Sequence, residues 1–193
     1  EEHWNYAKRI LRYLKGTATY GILFDGRKPF TIEGYTDADW GSDVNNKRRS
    51  TSGWIFTLCG GAITWKSKQQ TSVALSSCEA EFVAMSEAVK ELLWLTYLLE
   101  ELKQNQKITL WIDNQAAKFL AENEVVHSRS KHIDIRYWFV KDKIQHEVFN
   151  LSHVSSESNT ADVFTKALPA PSFRKFRDKM GVMDKQLATD NHQ

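Results

Sequence analysis

The sequence predicts an α/β protein in which one mixed β-sheet is flanked by helices. Two observations carry that expectation. Between Thr31 and Lys66, three runs rich in β-branched and aromatic residues are joined by short polar or glycine-containing turns, the pattern of an antiparallel meander. Further along, helix-period and strand-period segments alternate twice, which adds parallel strands to that meander. With 193 residues and 41% apolar content, the chain can bury one substantial core.

Composition excludes several classes. No apolar run approaches the roughly 20 residues that cross a bilayer, and no charged start with an apolar core suggests a secretion signal, so a membrane partner is not expected. Cys59 and Cys78 lack metal-site spacing and read as free thiols of a reducing compartment, the cytoplasm. A formal charge of +2 does not by itself imply nucleic-acid binding; such a role must come from where the charge sits.

Glu2 to Lys15 reads as a helix, with Trp4, Ala7, Leu11 and Leu14 on one stripe and Gly16 as the stop. It starts without a cap or an initiating methionine, which suggests a piece of a longer polypeptide. Thr19 to Phe24 is a short strand closed by Asp25-Gly26. Thr31 to Trp40 is the strand around which the chain is organised, because it carries Asp37 where a core strand should not have an acid. A carboxylate there is costly to desolvate unless a cation or hydrogen bonds compensate; the alternative is a frayed end with Asp37 and Asp39 in water. Gly41 to Ser50 reads as a polar loop with adjacent bases Lys47, Arg48 and Arg49. Thr51 to Cys59 and Ala62 to Lys66 are strands joined at Gly60-Gly61, and Ser67 to Thr71 is a loop.

The longest helix runs from about Cys78 to Lys103, with Phe82, Met85, Val89, Leu92 and Leu99 on its buried stripe. Lys107 to Ile112 alternates as a strand, and Asn114 can cap a helix over Gln115 to Glu122. A helix from about Lys131 to Gln145, a strand over Val148 to Val154 and a helix over Thr160 to Leu168 follow. Pro169 and Pro171 precede a basic amphipathic helix, Ser172 to Met180, and Met183 to Gln193 reads as a mobile tail.

Acids recur at strand ends and helix starts: Asp37, Glu79 and Glu81, Asp113 and Asp162. On one edge of an α/β sheet such side chains can converge. Each also has a local explanation. Glu79 follows Ser76 by three residues, the spacing of a capping box, while Glu81 lies about 200° further round and adjoins the Phe82-Met85 stripe. Glu81 is therefore the candidate. Asp162 follows Asn159 by three and could serve as a capping partner; Asp113 could simply end its strand. Clustered carboxylates repel by roughly 4 kcal/mol per close pair at an effective dielectric near 20. Divalent cations make such a cluster tolerable. Hard oxygen ligands suit Mg²⁺ or Mn²⁺, and two such ions about 4 Å apart can support phosphodiester cleavage.

Six motifs then become recognisable: Tyr35-Thr36-Asp37-Ala38-Asp39-Trp40, Arg49-Ser50-Thr51-Ser52-Gly53-Trp54, Ala74 to Phe82, Asp113-Asn114-Gln115-Ala116-Ala117, Ser130 to Tyr137, and Thr160 to Lys166. Together they closely resemble the ribonuclease H domain of Ty1/copia-type retrotransposon polyproteins. The match covers nearly all of Thr31 to Val182. The first helix looks like the end of the preceding reverse transcriptase region, so the implied division is 1–28 for that remnant, 29–182 for the ribonuclease H-like domain and 183–193 for a tail.

The resemblance implies a ribonuclease H-like fold: a five-stranded mixed sheet with the first three strands antiparallel and the last two parallel to the first. It places Asp37, Glu81, Asp113 and Asp162 on the family's metal-binding quartet, holding two Mg²⁺ ions for which Mn²⁺ can substitute. The implied activity is cleavage of the RNA strand of an RNA/DNA hybrid, leaving 5′-phosphate and 3′-hydroxyl ends, in partnership with the upstream reverse transcriptase domain. Virus-like particles and the nucleus are further compartments it allows. Candidates for touching nucleic acid are Arg48, Arg49, Ser50, Ser76, Ser77, Asn114, Lys131, His132 and Arg136: the loop Asn45 to Ser50 and the segment Ser76 to Cys78 for 2′-hydroxyls, and Lys131, His132 and Arg136 for phosphates at a helix start, unless that is simply a solvated helix face.

The chain departs from many cellular relatives in having no basic, Trp-rich insertion between the Gln115 and Lys131 helices, so the isolated domain is expected to bind hybrid weakly. His153 is nearest to the mobile histidine of some relatives, but it reads as a strand residue. A catalytically inactive module that binds nucleic acid or supports a polymerase is the second reading. A transposase or integrase ranks last, because its essential Glu belongs on a late helix, where this chain has Asp162.

Overall fold

The computed structural model describes residues 1–43, 47–123 and 131–186, apart from the side chains of 131–134. The expected loop positions 44–46 and tail positions 187–193 lie outside the described residues. In chain order the elements are α1 (Glu2–Gly16), β1 (Tyr20–Ile22), β2 (Ile32–Asp43), β3 (Arg49–Leu58), β4 (Gly61–Gln69), α2 (Ser77–Glu101), β5 (Thr109–Ile112), α3 (Gln115–Glu122), α4 (Lys131–Gln145), β6 (Asn150–His153), α5 (Ala170–Lys179) and β7 (Val182–Asp184). Short 3₁₀ helices, Ser156–Ser158 and Thr160–Phe164, connect β6 to α5.

The sheet has the order β4-β3-β2-β5-β6, with β2, β3 and β4 antiparallel in sequence and β5 and β6 parallel to β2. This is the expected mixed five-stranded sheet. The β3–β4 hairpin turns at Cys59 and Gly60, with φ of +50° and +78°, one residue earlier than Gly60-Gly61. Positive φ at both central residues matches the twist of the flanking strands.

Two-residue alternation decides what each face of the sheet buries. Ile32, Phe56, Leu110 and Ile112 pack against Phe82, Met85, Val89 and Leu92 of α2, with Tyr137 and Val140 of α4 alongside. Full burial of each such large side chain contributes about 1.5–3 kcal/mol. Gly34 permits the close approach: a Cβ there would lie 2.3 Å from Phe56 Cε1. The opposite face packs Ile55, Ala62 and Tyr35 against Val163, Phe164, Met180 and Val182.

Several local expectations change. Ser67 to Gln69, read as loop, continue β4 in register with Thr51 to Gly53. As an edge strand, β4 needs no apolar outer face, which hid it from a reading based on alternation. The segment 160–168 forms only the short 3₁₀ helix Thr160–Phe164. Met183 and Asp184, read as tail, belong to β7, which pairs antiparallel with β1. Pairing across some 160 residues, helped by the Leu23 amide donating to the Gly181 carbonyl at 2.8 Å, imposes strand geometry that no local period announces. Finally, α1 buries none of its residues: Trp4, Leu11 and Leu14 are all exposed, and Tyr13 meets Phe173 of α5 edge-on.

Candidate active site

Register builds the site. Tyr35 of β2 pairs with Trp111 of parallel β5, and their rings stack on the sheet face away from α2. Two residues on from each, toward the same side of the sheet, come Asp37 within β2 and Asp113 just past the end of β5. In the antiparallel direction Asp37 pairs with Gly53 of β3. Glu81 arrives from the first turns of α2. One ligand oxygen from each of Asp37, Glu81 and Asp113 can be chosen so that all lie within 4.8 Å of one another.

Asp37 is wholly buried, so the frayed-end alternative does not hold. Its cost of burial is offset by two neighbours in sequence with one another: Lys166 Nζ donates to Oδ1 at 3.1 Å, and the Thr165 hydroxyl donates to Oδ2. Glu81 is 8% exposed, and its Oε2 is buried without a hydrogen-bond partner among the described residues. Burial, with the charges of Asp37 and Asp113 adding to it, pushes its carboxyl up to about 9 against the opposing pull of the Ala38 amide and Lys166. In the absence of a cation this environment favours the protonated form.

Asp162 stands on the 3₁₀ helix, which Asn159 fixes in place. The Asn159 side-chain amide donates to the Thr36 carbonyl at 3.0 Å, and its Oδ1 accepts from the Ala161 amide. The Asp162 carboxylate is therefore not spent on a cap. It accepts instead from Lys166 Nζ at 2.9 Å, so Lys166 links Asp162 to Asp37. Burial raises its carboxyl to about 6, the bond from Lys166 working against that and Asp37 adding to it. For Lys166 burial works downward, but Asp37 and Asp162 outweigh it and the ammonium is held above its ordinary value.

Glu79 caps, as its spacing indicates: Ser76 Oγ accepts from the Glu79 amide, while Glu79 Oε2 accepts from the Leu75 amide at 2.9 Å. The other predicted contacts divide. Arg48 and Ser77 are exposed. Arg49 is half-buried at the start of β3, and its Nε is buried without a partner among the described residues. Ser50 is fully buried and its hydroxyl accepts from the Gly41 amide, so inward packing takes it away from any nucleic acid. Ser76 and Asn114 spend a side-chain oxygen on the N-termini of α2 and α3. Arg136 donates to Ser86 Oγ and Glu87 Oε1, beside a cavity of about 130 Å³ that Lys66, Lys68 and Gln70 also line. The side chains of Lys131 and His132 lie outside the described residues. His153, exposed on β6, has Nε2 3.2 Å from the Asp113 carbonyl rather than from the carboxylates.

Thr165 and Lys166 went unassigned in the sequence. The available signal was Lys166 four residues after Asp162, one helical turn, inside a recognised motif. The all-oxygen donor set, the unpartnered Glu81 oxygen and an ammonium already bridging two of the acids together fit a group that takes hard divalent cations.

No family model matches the chain. It is 42% identical over 183 residues, 94% of its length, to the retrovirus-related Pol polyprotein from transposon TNT 1-94 of Nicotiana tabacum. To that from transposon RE2 of Arabidopsis thaliana it is 38% identical over 185 residues, 95% of its length. The chain spans only 14% and 13% of those polyproteins. Its fold is similar to the N-terminal RNase H domain of a Mycobacterium tuberculosis protein solved as a fusion with maltose-binding protein, with a TM-score of 0.50 at 9% identity, covering 78% of this chain and 98% of that one. The chain thus belongs with the Pol polyproteins of copia-type transposons, of which it matches one segment, and that segment has the ribonuclease H fold.

Proposed function

We propose that this domain is a divalent-metal-dependent ribonuclease H that cuts the RNA strand of RNA/DNA hybrids, working beside the reverse transcriptase domain of the same polyprotein. The observation that carries the reading is the convergence of Asp37, Glu81 and Asp113 around an unpartnered buried oxygen, with Asp162 tied in through Lys166. Nothing in a stable core calls for this many acids together. In the reaction, water adds to phosphorus and gives up a proton to solvent, the P–O3′ bond breaks, and the 3′-oxygen leaves and takes a proton from solvent, giving 5′-phosphate and 3′-hydroxyl ends. Asp37, Glu81, Asp113 and Asp162 would hold two Mg²⁺ or Mn²⁺ ions. Bound there, such ions supply activation of the attacking water and stabilisation of charge on the leaving oxygen. The chain's own part is to fix these oxygens by burial and to present exposed groups such as Arg48 and Ser77 to the hybrid.

The test is cleavage of an end-labelled hybrid, with duplex DNA and double-stranded RNA alongside, in Mg²⁺, in Mn²⁺ and in chelator. Metal-dependent cutting of the hybrid's RNA strand is expected, and Asp37→Asn should lower it by about a thousand-fold or more, the scale on which a transition-state electrostatic contact acts. Full activity in Asp37→Asn would refute the site; no cutting by the chain, alone or joined to its polymerase, would favour an inactive supporting module.

A further inference from the structure

Lys166 is the one cation that touches two of the four acids among the described residues. Its Nζ lies 3.1 Å from Asp37 Oδ1 and 2.9 Å from Asp162 Oδ1, an arrangement in which one positive charge bridges two carboxylates. Thr165 takes the other Asp37 oxygen. Both oxygens of Asp37 are thus engaged by adjacent residues of one short segment. The two sides of the cluster consequently differ. Asp37, Glu81 and Asp113 converge with no ion pair to Glu81 or Asp113 among the described residues, whereas the Asp37–Asp162 side already holds a charge partner.

The geometry points to Lys166 as a resident cation that occupies the Asp37–Asp162 side of the cluster and must be displaced before a second divalent ion can bind there. This rests on the reading that the acids take divalent ions, and does not depend on cleavage itself. An ammonium and a divalent ion cannot share the same two oxygens, since at about 3–4 Å their like charges repel strongly. An ion among Asp37, Glu81 and Asp113 leaves the Lys166–Asp162 bond in place. An ion between Asp37 and Asp162 breaks two charge-assisted hydrogen bonds first, so it binds more weakly. Displacement has an open route. The Lys166 side chain is 35% exposed and its four-carbon stem is flexible, while Asp37 and Asp162 are held in place by β2 and by the Asn159 anchor. The same contact serves the metal-free protein, where Lys166 relieves repulsion that would otherwise push the 3₁₀ helix off β2. Lys166 is a positioning residue in this account. It sets when the second ion loads.

The experiment is Mn²⁺ titration by calorimetry of the full chain and of Lys166→Gln and Lys166→Arg, without nucleic acid. Two binding steps are expected for the parent chain. In Lys166→Gln the weaker step should tighten by about ten-fold or more, because its competitor is gone, and in Lys166→Arg, which keeps the charge, it should stay weak. In chelator Lys166→Gln should melt below the parent, and saturating Mn²⁺ should close that gap. Should the variants fold poorly, the parent chain alone decides: acetylation of Lys166, read by mass spectrometry, should rise as the second step saturates. Identical isotherms for the parent and Lys166→Gln, equal tightening in both variants, or Lys166 reactivity unmoved by Mn²⁺ would overturn the inference. Absence of Mn²⁺ binding in all three chains would overturn it as well. If the titrations behave as expected but hybrid is not cut, the nuclease reading fails and this one stands.

Discussion

Without a cation, burial, Asp37 and Asp113 together raise the Glu81 carboxyl to about 9, which favours its protonated form. A folded-state value above the unfolded one means that the stabilising form is the protonated one. The contribution is fully present below the unfolded value of 4.5 and is lost as pH rises through about 9. In chelator, Glu81→Gln should therefore match the parent's stability near pH 4 and exceed it by on the order of 2 kcal/mol near pH 8.5, as thermal melts would show. A variant less stable at the higher pH would contradict this account of the site. Cleavage should separate the two glutamates. Glu81→Gln is expected to lose activity by at least about a hundred-fold, and Glu79→Gln, which alters only a backbone cap, to lose about two-fold or less. Much at this scale was legible. The place of Asp37 and Asp113 on one edge of the sheet was expected, with the β2–β5 register supplying their shared face, and Ser76-x-x-Glu79 spacing separated the capping glutamate from the buried one.

At the scale of elements, the site depends on how closely the 3₁₀ helix Thr160–Phe164 lies on β3. Gly53 makes that approach possible: a Cβ there would sit 2.7 Å from Thr165 Cγ2, 2.8 Å from Phe164 Cβ and 3.2 Å from the Ala161 carbonyl oxygen. Gly53 is also the residue opposite Asp37 in the antiparallel ladder. Gly53→Ala should therefore move the segment carrying Asp162, Thr165 and Lys166 away from Asp37, costing about 1–3 kcal/mol of stability and, in a hybrid assay, a larger share of activity. Ser76→Ala tests α2 alone. Losing the acceptor for the Glu79 amide should cost about 1 kcal/mol, with the carboxylate site otherwise intact. The helices were legible from caps and periods, but the 3₁₀ helix was overestimated as a longer α-helix. Its form is set by docking, through Asn159 on Thr36, and by the turn in which Thr165 and Lys166 reach Asp37.

For the whole molecule, a charge of +2 masks an uneven surface. Lys66 and Lys68 are exposed on edge strand β4, and Arg48 is exposed ahead of β3, whereas Asp37, Glu81 and Asp162 are buried. Contacts of those bases with phosphate release counterions, so affinity for an RNA/DNA hybrid should fall at least about ten-fold between roughly 50 and 200 mM salt, measurable by fluorescence anisotropy with Ca²⁺ in place of Mg²⁺. A salt-independent affinity would mean that these bases do not meet the backbone. The second sheet works at this scale too. By pairing β1 with β7, it ties the segment after α1 to the end of α5, and Gly181, with φ of +74°, makes the turn between α5 and β7 beside Leu23 and Gly60.

The sequence by itself determined the mixed sheet, the long helix with its buried stripe, and the choice of Glu81 over Glu79, because period and capping are interactions among residues a few positions apart. Tertiary structure alone decided the rest. Ser50 turns inward, Met183 and Asp184 become a strand, the apolar stripe of α1 stays exposed, and Lys166 settles between Asp37 and Asp162. Lys166 and Asp37 are 129 residues apart in the chain. No local pattern encodes such a contact: it exists only once the folded chain has buried an acid and brought a cation within reach of it.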